Sequence, residues 1–227
     1  MEGTLYIIST PIGNLKDITH RALDILKSVD FLACEDTRVT RRLLSHYKIS
    51  SNLLSYNDIN EKSMVRKLIK RLSNNENIGL VSDAGTPGIS DPGYRLVNAC
   101  HIKNINVVSI PGASSVIASL SISGLPTDNF YFCGFLPKKK GRKTKFESLL
   151  SIPATIVIFE SPYRVLKTLN DIYSSMGNRV VSVCKELTKI HESVFLGNVK
   201  DIIDDFDNNN KLKGEFIILI SKEGYKL

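Results

Sequence analysis

The chain has 227 residues, 42% of them hydrophobic and 23% charged, an ordinary globular composition with room for one large or two small α/β domains. No apolar run reaches the roughly 20 residues of a bilayer span, and MEGTLYIISTPIG lacks the basic leader, apolar stretch and cleavage site of a secretory signal, so a cytoplasmic protein is expected. The net charge of +7 is concentrated: Lys138, Lys139, Lys140, Arg142, Lys143 and Lys145 are six positive charges in one stretch, leaving +1 for the rest of the chain, which points to one anionic contact surface.

Taken in order, the N-terminal half repeats one theme: a strand-length apolar run, a Gly/Pro/Ser loop, then a helical period. Leu5–Ser9 leads into Thr10-Pro11-Ile12-Gly13-Asn14 and a helix over Ile18–Leu26. Phe31–Cys34 and Leu53–Tyr56 are strands. Val65, Leu68, Ile69 and Leu72 stripe a helix whose other face, Lys62 to Arg71, reads as solvated. Ile78–Ser82 leads into the eleven-residue loop Asp83–Gly93 and a helix over Tyr94–Cys100; Asn106–Ile110 leads into Pro111-Gly112-Ala113-Ser114-Ser115 and a helix over Val116–Ser121. Alternating strands and helices predict a mostly parallel sheet with both faces covered.

Ser123–Asn129 breaks the pattern and marks a boundary between a domain at 1–123 and one at 124–227. Beyond it come strands at Phe130–Leu136, Thr155–Phe159, Arg179–Cys184, Ser193–Leu196 and Phe216–Ile220 and helices at Val165–Tyr173 and near Lys200–Phe206. The close spacing of the late strands predicts a mixed sheet. The basic segment around Lys138–Lys145 reads as a mobile loop, and Asn208-Asn209-Asn210 as another. The four cysteines, Cys34, Cys100, Cys133 and Cys184, are far apart with no CxxC spacing, so free thiols and no metal site are expected.

Ligands of an open α/β sheet bind beyond the carboxyl ends of its strands, where the three Gly/Pro loops fall. None of them reads GxxxxGK[ST] or GxGxxG, and none contains Lys or Arg, which argues against a polyphosphate ligand. Asp83 and Asp91 suit a ligand with amine, hydroxyl and sulfonium groups, although Asp91, before Pro92, also reads as a helix N-cap.

The segments LYIISTPIGNLKDIT, CEDTRVTRRLL, SDAGTPGISDPG, IPGASS, FESPYR and KELTK occur in this order. Together they resemble the ribosomal RNA small subunit methyltransferase I family, a branch of the tetrapyrrole methylase superfamily. The resemblance runs from about residue 4 to about residue 220 and rests most on SDAGTPGISDPG. It implies two α/β domains of the tetrapyrrole methylase kind, a homodimer, S-adenosylmethionine held between the domains, and 2′-O-methylation of a cytidine ribose in 16S rRNA. One departure is Lys185, where the family pattern has arginine; lysine keeps the charge and loses the planar fork. Carried over by motif, the cofactor contacts are Pro11, Gly13, Asp83, Ala84, Gly85, Thr86, Ser114 and Ser115, with Glu186, Leu187, Thr188 and Gly214 from the second domain.

For the substrate, the expected RNA contacts are Lys138, Lys139, Lys140, Arg142 and Lys143, and a second set, Arg38, Arg41 and Arg42, on one side of a helix by its i, i+3, i+4 spacing. Partners are small-subunit rRNA or the assembled 30S subunit. Phe130, Tyr131, Phe132 and Phe135 alternate as strand core rather than as a stacking surface. Methyl transfer to a ribose hydroxyl needs alignment and a proton acceptor, for which Glu35, Asp36 and Glu160 are the candidates. An equal alternative for Glu160 is an ion pair with Arg164. Two other readings stand beside RNA methylation: a tetrapyrrole or precorrin methyltransferase of the same fold, and a nucleic-acid-binding module without catalysis.

Overall fold

The computed structural model describes residues 2–209 and 212–227, without the side chain of Asn209. The chain divides into two compact units, Met1–Ser114 and Ser115–Leu227. The sequence places the division after Ser123; the difference is a helix, α5 (Ser115–Ile122), which packs on a strand of the second unit.

In the first unit five strands, β1 (Leu5–Ile8), β2 (Phe31–Cys34), β3 (Asn52–Ser55), β4 (Ile78–Val81) and β5 (Val107–Ile110), form a wholly parallel sheet in the order β3-β2-β4-β1-β5. Successive side chains of a strand point to opposite faces, and both faces here are apolar. Leu5, Ala33, Ile78 and Leu80 pack against Leu68 and Leu72 of α3 (Glu61–Ser73) and Leu96 and Cys100 of α4 (Tyr94–Ile102). Ile8, Leu32, Cys34 and Val81 pack against Ala22 and Leu26 of α1 (His20–Ser28) and Leu44 of α2 (Thr37–His46). The helix expected over Ile18–Leu26 starts later, because Leu15–Asp17 forms a 3-10 turn and Thr19 caps α1 by accepting from the Ala22 N–H at 3.1 Å. The strand order sets β4, β1 and β5 side by side, so the loops after these three strands are neighbours, and β2 presents Glu35 and Asp36 on the other flank of β4.

The second unit has β6 (Phe130–Phe135), β7 (Thr155–Glu160), β8 (Val180–Lys185), β9 (Ser193–Asn198) and β10 (Phe216–Ile220) in the order β6-β7-β10-β8-β9. Only β6 and β7 pair in parallel; the other pairs are antiparallel, so the sheet is mixed as expected. Ile156, Ile158, Val181, Val183, Ile218 and Ile220 form a core with residues of α6 (Arg142–Leu150), α7 (Val165–Met176) and α8 (Val199–Asn209). The basic segment is therefore not wholly a loop: from Arg142 onward it is helix α6. Asn208 and Asn209 belong to α8, not to a loop, and Asn210 lies outside the described residues. No described helix is long and apolar enough to cross a membrane.

Ile218 is fully buried on the central strand β10. Ile218→Ala should lower the unfolding free energy by about 2–5 kcal/mol through lost burial and a cavity, measurable by urea denaturation.

Candidate active site

The first-unit loops are sewn to one another by hydrogen bonds. The Thr10 N–H donates to the Gly85 carbonyl at 2.8 Å and the Gly85 N–H returns to the Thr10 carbonyl at 3.1 Å. The Ser9 and Thr86 hydroxyls are 2.8 Å apart, and the Thr86 hydroxyl donates to the Ala113 carbonyl at 3.3 Å. All three loops thus form one rigid surface at the carboxyl ends of β1, β4 and β5. Gly85 holds φ +80°, and a Cβ there would meet the Ile12 side chain at 3.4 Å, so glycine is required by conformation. Far from this junction, the loop is anchored by a residue that the sequence pattern hides in a charged helix face. Glu61 is buried and accepts from the Tyr56 hydroxyl (2.9 Å), the Gly93 N–H (3.3 Å) and Arg95 Nε (2.8 Å). Its only sequence signal is an acid in the first turn of a helix, which reads as an ordinary dipole partner. Gly93, not Asp91, is the N-cap of α4. The cap expected of Asp91 is wrong because the chain needs two further residues to turn into the helix.

A pocket of about 190 Å³ is lined by Thr10, Pro11, Leu15, Val39, Thr40, Arg42, Leu43, Ser82 and Asp83. Pro11 and Asp83, expected in a cofactor site, are thus brought together with Arg42, expected in an RNA site. Gly13, Asp83 and Ala84 are exposed, Thr86 and Ser114 half-buried. The surrounding electrostatics are acidic. Desolvation raises the carboxyls of Glu35, Asp83 and Asp91, and neighbouring carboxylates add to it: Asp91, Asp83 and Asp58 for Glu35, Asp36 for Asp83, and Asp83 and Asp58 for Asp91. A ligand carrying positive charge would relieve that repulsion. Asp36 behaves oppositely. It caps α2, accepting from the Arg38 N–H at 2.8 Å, and pairs with the Arg38 guanidinium at 2.6 Å, which holds its carboxyl down at about 2. A carboxylate so acidic is a poor proton acceptor near neutral pH, so the expectation for Asp36 is corrected to a helix cap. Arg38, Arg41 and Arg42 are all exposed on α2.

In the second unit Glu186, Leu187 and Thr188 follow β8, with Glu186 at φ 52° and Thr188 at φ 66°, a conformation that non-glycine residues hold only when the surroundings dictate it. Glu186 Oε1 accepts from the Glu215 N–H (2.8 Å) and from Lys189 Nζ (2.9 Å). Gly214, at φ +100°, lies under that side chain, and a Cβ there would fall 2.5 Å from it. The KELTK loop and Gly214 are one assembly. Ser115 opens α5.

The remaining expectations meet in a buried network. Glu160 ends β7 with a fully buried carboxylate. Its Oε1 accepts from Arg164 Nη2 (2.7 Å) and the Ser161 N–H (2.8 Å), and its Oε2 from the Thr168 hydroxyl (2.7 Å). Arg142 Nη2 donates to that hydroxyl at 2.8 Å, and Arg142 Nε to Asp171 at 2.8 Å. The two arginines finish on consecutive carbonyls: Arg164 on Leu136 and Arg142 on Pro137, each at 3.2 Å. Two expectations are corrected here. Glu160 is the ion-pair partner of Arg164, not a base facing a pocket, since its side chain is fully buried and both its oxygens are bonded inside the fold. Arg142 is buried and paired, not an RNA contact, because helix α6 turns it inward. Lys138, Lys139, Lys140 and Lys143 remain exposed.

With this geometry in view, the relatives are informative. A family model described as Tetrapyrrole (Corrin/Porphyrin) Methylases matches residues 4–203. A "Ribosomal RNA small subunit methyltransferase I" from Hydrogenobaculum sp. is 47% identical over 220 residues, covering 96% of each chain. The chain belongs to the ribosomal RNA small subunit methyltransferase I family. Among solved structures, a diphthine synthase aligns with a TM-score of 0.75 at 14% identity, covering 96% of this chain and 90% of that one. A uroporphyrin-III C-methyltransferase from Thermus thermophilus, complexed with S-adenyl homocysteine, aligns at 0.65 and 16%, covering 96% and 97%. These likenesses establish the two-unit tetrapyrrole methylase fold. The cofactor of the family is S-adenosylmethionine, and the raised carboxylates around the first-unit loops fit its sulfonium and ammonium charges.

Two stability measurements check the environments of Glu35 and Arg142. Glu35 is raised above its unfolded value, so its ionisation destabilises the fold increasingly as pH rises through that window. Glu35→Gln should therefore raise the melting temperature at pH 7, and the gain should vanish in acid, where both states carry the proton. Arg142→Ala should cost about 1–3 kcal/mol by removing the buried donor to the Thr168 hydroxyl and the Pro137 carbonyl and the nearer cation of the partly exposed Asp171, whereas Lys143→Ala should leave stability unchanged in the same denaturation assay.

Proposed function

We propose that the protein transfers the methyl group of S-adenosylmethionine to the 2′-hydroxyl of a cytidine ribose in 16S rRNA. The observation that carries the RNA reading is the exposed run Lys138–Lys140 with Lys143, held at its base by the Glu160 network. A tetrapyrrole does not need a cluster of flexible cations, whereas a phosphate backbone does. In this reading Pro11, Gly13, Asp83, Ala84, Gly85, Thr86 and Ser114 of the first unit contact the cofactor. Ser115, Glu186, Leu187, Thr188 and Gly214 of the second unit are assigned to it by family membership. Bound S-adenosylmethionine supplies an electrophilic methyl on a sulfonium. The ribose oxygen forms the new C–O bond as the C–S bond breaks, and the hydroxyl proton leaves. Glu35 is the carboxylate left to accept that proton, because Asp36 is too acidic and Glu160 is enclosed. Arg38, Arg41 and Arg42 with Lys138, Lys139, Lys140 and Lys143 hold the RNA. The same reading makes the protein a cytoplasmic homodimer acting on rRNA or the 30S subunit.

Incubation with methyl-labelled cofactor and under-modified small subunits should place label on one cytidine ribose; label on a base, or none, contradicts the reading. Gly85→Val should abolish cofactor binding in calorimetry run with a chelator present, since valine cannot take the left-handed backbone there without strain. Retained affinity would show that this loop does not hold the cofactor.

A further inference from the structure

Strand β6 is an edge strand with an irregularity: its register with β7 shifts between Phe132 and Gly134, where Gly134 has φ +68°. A bulge inserts one residue and reverses which face the following side chains take. Phe132 and Phe135, three residues apart, therefore fall on one face, and both pack edge-on against Phe159 at ring distances of 4.9 and 5.5 Å. Without the bulge they would fall on opposite faces. Phe135 is nevertheless 59% exposed. Tyr163, four residues beyond Phe159 at the same end of the parallel β6–β7 pair, is 96% exposed. Arg164 beside it donates to the Leu136 carbonyl directly after Phe135, so the turn that carries Tyr163 is tied to the segment that carries Phe135. Lys138, Lys139 and Lys140 begin three residues after Phe135 and are all exposed. Farther along β6, the exposed Tyr131 has Lys145 Nζ 5.3 Å from its ring centroid and 3.2 Å from its hydroxyl.

Two rings exposed on a fixed backbone, bordered by free lysines, match what unpaired RNA offers: flat bases and a phosphate chain. Aromatic faces stack on splayed bases in a sequence-tolerant way while cations follow the backbone. A duplex keeps its bases stacked internally and offers these rings nothing. We propose that Phe135 and Tyr163 form a stacking site for unpaired bases of the RNA substrate, with Lys138–Lys140 on the adjoining phosphates. This rests on the RNA reading above and adds to it that the RNA segment engaged by the second unit is single-stranded. The bulge acquires a role in this arrangement, because it turns Phe135 to the face where Phe159 buttresses it.

The test uses the full chain and fluorescence anisotropy with a labelled single-stranded decaribonucleotide and the duplex of the same sequence, over a salt series. Phe135→Leu and Tyr163→Ala are compared with Tyr163→Phe and with Lys139→Ala/Lys140→Ala, and thermal unfolding checks that each variant is folded. Phe135→Leu and Tyr163→Ala should each weaken single-strand binding about ten-fold, leave duplex binding and the salt slope unchanged, and be matched by no loss in Tyr163→Phe. The lysine variant should weaken both RNAs and flatten the salt slope. Unchanged single-strand affinity in folded Phe135→Leu and Tyr163→Ala, with the lysine effect intact, would overturn the stacking site and mark the rings as a surface for a protein. Absence of any lysine effect would instead overturn the RNA reading beneath it.

Discussion

The Glu160 carboxylate is fully enclosed, and the second unit is organised around what it binds. A buried carboxylate is tolerated only when paired and hydrogen-bonded, and here the pairing reaches from the end of β7 through Thr168 of α7 to Arg142 at the start of α6. Both arginines also donate to the Leu136 and Pro137 carbonyls, at the point where β6 gives way to the basic segment. The network thus converts one strand-end charge into a fixed origin for Lys138–Lys140. In the first unit the equivalent task falls to neutral groups: the Thr10–Gly85 backbone exchange and the hydroxyl contacts from Ser9 through Thr86 to the Ala113 carbonyl tie the three loops together.

The acids of the first unit fall into two groups: Asp36 and Glu61 are paired with Arg38 and Arg95, while Glu35, Asp83 and Asp91 are not matched in this way. Burial and neighbouring carboxylates raise the carboxyls of the first-unit residues Glu35, Asp83 and Asp91, so a nearby positive charge would favour their ionised forms. In the second unit the corresponding acids, Glu160, Asp171 and Glu186, are each neutralised by a cation of the chain itself.

Much of the fold was legible in the sequence. Strands such as β1, β4 and β10 are short apolar runs bounded by turn residues, and their alternation with helices specified the parallel first sheet. What escaped were features decided by tertiary contact. Helix α6 was hidden because its start, Gly141-Arg142-Lys143-Thr144-Lys145, looks like a charged solvent loop, whereas its buried face is Arg142 together with Phe146 and Leu149. Glu61 was hidden among lysines for the same reason. The positions of the three loops were readable from the sheet rule; the bonds between them were not, since they join residues 27 to 77 positions apart. The Glu160–Arg164 pair was readable as an i, i+4 possibility, but its burial was not, and burial is what separates a scaffold carboxylate from a base.

Glu160, enclosed by its partners, anchors the start of the Lys138–Lys140 segment through Arg164 and Arg142 and is not placed to take a proton. The direct test is the pH dependence of single-turnover methyl transfer by Glu160→Gln, which keeps the shape of the side chain and removes its charge. The account predicts a uniformly lowered rate whose pH profile has the same form as that of the parent protein, because only the placement of Lys138–Lys140 is loosened. Loss of the limb on which the rate rises with pH, in a variant that still binds cofactor and RNA normally, would show that Glu160 is the base after all.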